Sequence, residues 1–219
     1  MKAIAIGDMH GTFDALYNVL SEHEPDLLLC CGDWGDPGEV GQDVLELVTE
    51  RAYTFTVFGN HDDLELLDRM RNRDGSPILL KNGEVREVFG VRIGGISGIW
   101  AKSHRKPWYV TDEDVISYAE RISEGKADVL LAHSCPSGLA DMTPSGTHGG
   151  KRCFLDAFRI VKPKLYLCGH LHRPGRRDLK DGSSVVNVGF AKEGDFAVLS
   201  FDEGLQGLSI QMLSRGRRA

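Results

Sequence analysis

Short apolar runs in this chain repeatedly end on a glycine beside carboxylate, imidazole or amide side chains, and this recurrence limits the possible folds more than any other feature. Residues 2–7 (KAIAIG), 26–32 (DLLLCCG) and 53–59 (YTFTVFG) are short, apolar and rich in β-formers, so they read as buried strands. Amphipathic stretches separate them. Phe13, Leu16, Tyr17 and Leu20 recur at spacings of three and four, Val44, Leu45, Leu47 and Val48 share one side of a helix over 40–49, and a third helix runs from about 62 to 71. Strand, helix, strand in alternation predicts a parallel sheet covered by helices.

The middle of the chain changes character. Residues 78–80, 84–89 and 91–96 read as short strands punctuated by Asn82-Gly83 and Gly90. Thr111-Asp112-Glu113-Asp114 has the pattern of a capping box and opens a helix carrying Val115, Ile116, Tyr118, Ala119 and Ile122. A strand over 128–132, a helix over 152–161 and a strand over 164–169 follow, then a β-rich tail from 185 to about 212. The pattern suggests two packed sheets with helices outside, in a single domain over residues 1–219. Arg215-Gly216-Arg217-Arg218 is expected to be a frayed end.

Composition removes several function classes. No run approaches 18 apolar residues, so no membrane-spanning helix is expected, and the first residues lack the long apolar stretch of a signal peptide. A net charge of −6 argues against general coating of nucleic acid while leaving room for a local basic groove. The five cysteines are odd in number and form no C-x-x-C; three lie in apolar runs, which suggests buried free thiols and a cytoplasmic location.

The polar clusters all follow strands. Asp8-Met9-His10 comes after the first, Gly32-Asp33 after the second and Gly59-Asn60-His61-Asp62 after the third. His133 follows the strand over 128–132, and Gly169-His170-Leu171-His172 the strand over 164–169. Carboxyl ends of parallel strands line one sheet edge, so residues far apart in the chain can converge there. Carboxylate, imidazole and amide oxygen are ligands for hard to borderline metals. Asp8, His10, Asp33, Asn60, His133, His170 and His172 exceed what one ion needs and suit two metals about 3.5–4 Å apart. A single Asp or His after a strand is ordinarily a turn residue. Five clusters at five strand ends are not explained that way.

In this order and spacing, D-x-H, G-D, G-N-H-D, a lone His and G-H-x-H resemble the calcineurin-like metallophosphoesterase superfamily, from Asp8 to His172. The resemblance implies a four-layer α/β/β/α sandwich of two mixed sheets. It implies one metal on Asp8, His10 and His172, a second on Asn60, His133 and His170, and Asp33 bridging them, with Mn, Fe, Zn or a mixture as the divalent ions. Such a pair would bind phosphoryl oxygens and acidify a shared water, and His61 would then assist the leaving group. Asp36 matches an Asp that orients this His in protein phosphatases of the superfamily; Asp62 is a competing orienter, and Asp36-Pro37-Gly38 is also a good turn.

Substrate hints are local. Pro37 stands where the protein phosphatases carry a phosphate-gripping Arg, which disfavours that branch. Residues 91–100 (VRIGGISGIW) resemble a segment of RNA lariat debranching enzymes, although Asp8 stands where those often carry Cys. The basic, aromatic stretch 102–109, with His104, Arg105 and Trp108, can contact phosphates and stack a base, or can be ordinary solvated loop. The Gly-rich layout around His148 resembles small cyclic-nucleotide phosphodiesterases, with His148 a candidate for the leaving-group side. These readings favour a phosphodiesterase on nucleotides or single-stranded nucleic acid. A phosphomonoesterase acting on phosphoprotein or small metabolites, and a metal-bound scaffold without catalysis, are the alternatives.

Overall fold

The computed structural model describes residues 1–202 and 205–214; the basic stretch at 215–218 lies outside the described residues. Strands β1 (Lys2–Ile6), β2 (Leu27–Cys30) and β3 (Tyr53–Thr56) run parallel. Two C-terminal strands, β12 (Asp195–Ser200) and β13 (Ser209–Ser214), add antiparallel, giving a five-stranded sheet in the order β13-β12-β1-β2-β3.

A second sheet has six strands in the order β10-β11-β9-β8-β5-β4. Its parallel centre comprises β5 (Val91–Ile96), β8 (Val129–Ala132), β9 (Leu165–Cys168) and β11 (Ser184–Asn187). The antiparallel edges are β4 (Val85–Val88) and β10 (Gly175–Asp178). A two-stranded ribbon, β6 (Ile99–Trp100) with β7 (Tyr109–Val110), stands apart from both.

Side-chain parity builds the layers. Alternate strand residues point to opposite faces, so a strand buried on both faces is apolar throughout. Ala3, Ala5, Leu27, Leu29 and Phe55 of the first sheet pack with Ile93, Val129, Leu131, Leu165 and Leu167 of the second in one buried cluster between the sheets. Their neighbours Ile4, Ile6, Leu28 and Cys30 face outward onto helices α1 (Asp14–His23), α2 (Gln42–Arg51) and α3 (Leu64–Arg69). On the far side Leu130, Ala132, Tyr166 and Cys168 face α4 (Asp112–Glu124) and α5 (Arg152–Val161). The result is helix, sheet, sheet, helix: the four-layer sandwich. All five cysteines are free and buried, and no helix among the described residues is long and apolar enough to cross a membrane.

Local chemistry explains most boundaries. The capping box at Thr111 forms: Asp114 accepts the Thr111 N–H at 2.8 Å, and the Thr111 hydroxyl accepts from Asp114 N. Two expectations need correction. Residues 78–80 form no strand of their own: they meet β3 in a single bridge at Leu79, where Thr56 N–H donates to Ile78 O and Leu80 N–H to Thr56 O, both at 2.9 Å. Helix α3, Leu64–Arg69, is shorter at both ends than the expected 62–71. Asp63 is its N-cap, accepting the Leu66 N–H at 3.0 Å, while Asp62 turns inward to other partners.

Candidate functional site

Each parallel strand delivers its polar cluster to the same edge of the sandwich. Hydrogen bonds within each sheet and between the two lock the connecting loops together. Asp8 N–H donates to Gly32 O, Gly169 N–H to His133 O and Gly98 N–H to Phe58 O. The loops bend sharply at the site: Asp8, His10, Asp33, His170 and His172 all have left-handed backbones, with φ between 46° and 67°. Non-glycine residues adopt this region at a cost, and they persist where the surroundings force it, commonly at functional sites.

Asp8, His10, Asp33 and His172 place one ligand-type atom each within 4.8 Å of one another; Asp33, His133 and His170 form a second such group. Asp33 belongs to both. His10 Nε2 is 3.6 Å and His133 Nε2 3.5 Å from the same Asp33 oxygen. The Nε2 atoms of His10 and His172 are 3.3 Å apart, and His172 Nε2 is 3.3 Å from Asp8. Two ligands each about 2.1 Å from a common ion at a tetrahedral angle would sit about 3.4 Å apart, so the spacing fits a shared cation.

Three further observations support that fit. Asn60 Oδ1 and His133 Nε2 are buried and, among the described residues, have no hydrogen-bond partner. Such atoms cost free energy unless something binds them. The opposite edge of the His133 ring is fixed, because its Nδ1–H donates to the Cys31 carbonyl at 2.7 Å, the arrangement that presents Nε2 to a metal. Finally, a Cβ on Gly59 would collide with Asp33 and His133, and one on Gly169 with Asp8. These glycines are needed for the close approach of the loops.

The electrostatics are those of carboxylates and imidazoles crowded together at a buried edge. Asp8 and Asp33 are 0% and 1% exposed, so their charges need a buried counter-charge. Burial opposes ionisation of Asp33, but His133, the His61 N–H and His10 hold its carboxyl below the usual range. Burial likewise opposes protonation of His133, and Asp33 and Asp8 outweigh it, raising the imidazole. Burial first, and then His133, pushes His170 down to about 3, leaving it neutral near pH 7, as a ligand must be. Burial also lowers His10, against the pull of Asp33 and Asp8.

Around these groups sit the other expected residues. His61 Nδ1–H meets Asp36, and the His61 N–H donates to Asp33 Oδ1 at 2.8 Å. Asp62 is not the partner of His61. Its carboxylate accepts the backbone N–H groups of Asp33, Trp34 and Gly59 at 2.7–2.8 Å, tying two site loops together. The basic segment is engaged locally: His104 pairs with Asp114, Arg105 is exposed, and Trp108 lies edge-on to Tyr109 under the Lys106 ammonium. His148 Nδ1–H donates to the buried Asp141 at 2.7 Å.

Sequence reasoning missed two contributors. Phe190 stacks on His172, centroids 4.2 Å apart at 8°, and meets His10 edge-on at 5.6 Å, so it fixes both rings. Its signal was a sixth strand end, Gly189-Phe190 after β11. A cleft of about 180 Å3 adjoining His170 is lined by Ile99, Trp100, Ser134, Cys135, Gly149 and Lys151. None of His104, Arg105, Trp108 and His148 lines it. A larger hollow of about 560 Å3 near Arg159 and Lys162 holds none of the site residues.

A two-sheet sandwich carrying paired carboxylate and histidine groups at its strand ends has the arrangement of a metal-dependent phosphoesterase. Residues 1–174 match the calcineurin-like phosphoesterase family, and the chain belongs to it. It is 26% identical to a lariat debranching enzyme of Arabidopsis thaliana over 231 aligned positions, which cover 78% of this chain and 54% of that protein. The chain thus spans about half the length of that relative. In fold it is similar to TT1561 of Thermus thermophilus, with TM-score 0.71, 15% identity, and 96% and 98% of the two chains covered. A dimetal phosphatase of Danio rerio superposes with TM-score 0.58 and 11% identity over 99% and 96% of the chains.

Proposed function

We propose that this chain is a dinuclear-metal phosphodiesterase acting on nucleotide or nucleic-acid-type diesters. The carrying observation is the Asp33 carboxylate shared by two groups of ligand-type side chains, beside buried Asn60 Oδ1 and His133 Nε2 atoms that lack a hydrogen-bond partner among the described residues. Asp8, His10 and His172 would hold one divalent ion, Asn60, His133 and His170 the other, and Asp33 both. When bound, two such ions supply positive charge for the phosphoryl oxygens and acidify water near neutral pH.

The chain's own groups do the rest. The Asp36 carboxylate holds the His61 Nδ1–H, so the ring's other nitrogen is the one that can give a proton to a departing alkoxide. Phe190 keeps the His10 and His172 rings in register. His104, Arg105, Trp108 and His148 belong to the proposal as substrate contacts, and the free buried thiols suit a cytoplasmic setting. The likeness to lariat debranching enzymes favours the diester reading over a monoester one.

The test is turnover by Mn2+-loaded protein of bis-p-nitrophenyl phosphate against p-nitrophenyl phosphate, followed by 2′,5′-linked and 2′,3′-cyclic nucleotides. Metal-dependent preference for diesters is the expected result. Preference for the monoester would make the protein a phosphomonoesterase. Two bound metals without turnover would make it a binding scaffold.

A further inference from the structure

Two metals would neutralise a bound phosphate, but Pro37, beside Asp36, leaves no side-chain cation there to grip it. The cleft adjoining His170 offers one from another element. Lys151 lies immediately before α5, and its backbone is pinned beside the His133 loop: Lys151 N–H donates to Cys135 O at 3.0 Å, and Ser137 N–H to Lys151 O at 3.2 Å. Its ammonium lies 5.4 Å from the centroid of the Trp100 ring, within cation–π range. The indole is itself fixed, Nε1–H donating to Asp112 at 2.9 Å.

The other polar groups lining the cleft are already engaged. Ser134 Oγ–H donates to Gly98 O at 3.1 Å and Cys135 Sγ–H to Gly169 O at 3.2 Å. Lys151 is therefore the one cation among the lining residues, and His170 is the lining residue that belongs to the metal-ligand groups. A volume of about 180 Å3 suits a phosphoryl group with a single attached ring, since a cavity of about 150 Å3 accommodates benzene.

We propose that Lys151, held over Trp100, is the phosphate-binding cation of this site, and that Trp100 is the residue positioning it. The inference rests on the dinuclear reading and adds to it the residue that grips the substrate's non-bridging oxygens. An ammonium–phosphate contact is a charge-assisted hydrogen bond. The aromatic face restrains a side chain that would otherwise spread over many rotamers.

The experiment is calorimetric titration of the Mn2+-loaded protein with inorganic phosphate, with metal content measured on each variant. Lys151→Met is expected to weaken phosphate binding roughly 10-fold or more while keeping the metal content of the parent. Lys151→Arg should restore most of the affinity. Trp100→Phe should retain more affinity than Trp100→Leu, because a ring face rather than bulk is what restrains the ammonium. Parental phosphate affinity in a fully metal-loaded Lys151→Met variant would overturn the assignment and leave the dinuclear reading standing. A parent protein that takes up no metal would overturn the dinuclear reading instead. In that case, a drop in phosphate affinity of metal-free Lys151→Met would still support Lys151, and an unchanged affinity would overturn it too.

Discussion

The Nδ1 of His61 lies 3.2 Å from both carboxylate oxygens of Asp36, a residue 25 positions earlier, and the His61 ring meets that of His10, a member of the candidate metal-ligand groups. Both side chains are substantially exposed, at 41% and 54%, so the pair contributes little to stability. On the proposed function its value would be orientation of the His61 ring. His61→Ala should keep its metals and melting temperature while losing about 10²–10⁴-fold in rate, the range for a lost general acid. The loss should shrink on nitrophenyl esters, whose leaving group needs little protonation. Equal losses on alkyl and nitrophenyl esters would instead assign His61 to phosphate binding. Asp36→Asn should give a smaller loss with the same dependence on leaving group.

Asp33→Asn should nearly abolish turnover and lower metal content. The carboxylate approaches both His10 and His133 and would hold two cations together; a neutral amide leaves their repulsion uncompensated. Elemental analysis finding two metals per chain with near-normal turnover would remove Asp33 from the bridging position.

Metal should also stabilise the fold on the dinuclear reading, because Asp8 and Asp33 are buried carboxylates and Asn60 Oδ1 and His133 Nε2 are buried without a hydrogen-bond partner among the described residues. A ligand at about 100 times its Kd adds about 2.7 kcal/mol. For a domain of this size that is a rise in Tm of roughly 5–10 °C. Thermal denaturation with Mn2+ and with a chelator measures it. Coincident curves would mean that the site does not hold the ion.

Much of this was legible in the sequence, for identifiable reasons. Strands buried on both faces, such as residues 27–30, are apolar throughout, and their glycine-ended loops carry ligand-type residues side by side, so both fold and candidate ligands could be read locally. What was illegible depends on contacts between elements. Lys151 and Trp100 are 51 positions apart and carry no motif, and their meeting follows from the β6–β7 ribbon folding toward α5. Asp62 could not be separated from Asp36 as the His61 partner, because its three backbone donors come from two different loops. Strand β10 was missed because GRRD is an exposed edge without apolar alternation.

The loop before α5 should make stability depend on acid. Asp141 is 1% exposed. Burial opposes its charge, but the Gly138 N–H, His148 and the Gly150 N–H hold its carboxyl below the usual range. A folded-state value below the unfolded one means that the unfolded chain binds the proton first. The contribution is therefore complete above the unfolded pKa, about 3.9, and is lost as pH falls through the lower folded value. Urea denaturation across that window should show the parent losing stability more steeply than Asp141→Asn. Parallel profiles would show that Asp141 is not held down.

Trp108 provides the last test, because it separates a substrate contact from a structural one. Its carbonyl accepts the Ile99 N–H at 2.9 Å, anchoring the β6–β7 ribbon through the backbone, while its half-buried ring meets Tyr109 edge-on. Truncation to alanine leaves the backbone bond possible and removes only the ring. Stacking is worth about 1–3 kcal/mol per base, so Trp108→Ala should weaken nucleotide diesters roughly 5–150-fold. It should leave bis-p-nitrophenyl phosphate nearly unchanged. The effect belongs mainly in KM if the ring holds ground and transition states alike. Equal loss on both substrates would identify the ring as a prop of the ribbon. No loss on either would return the loop to plain surface and shift base recognition toward the Trp100 cleft.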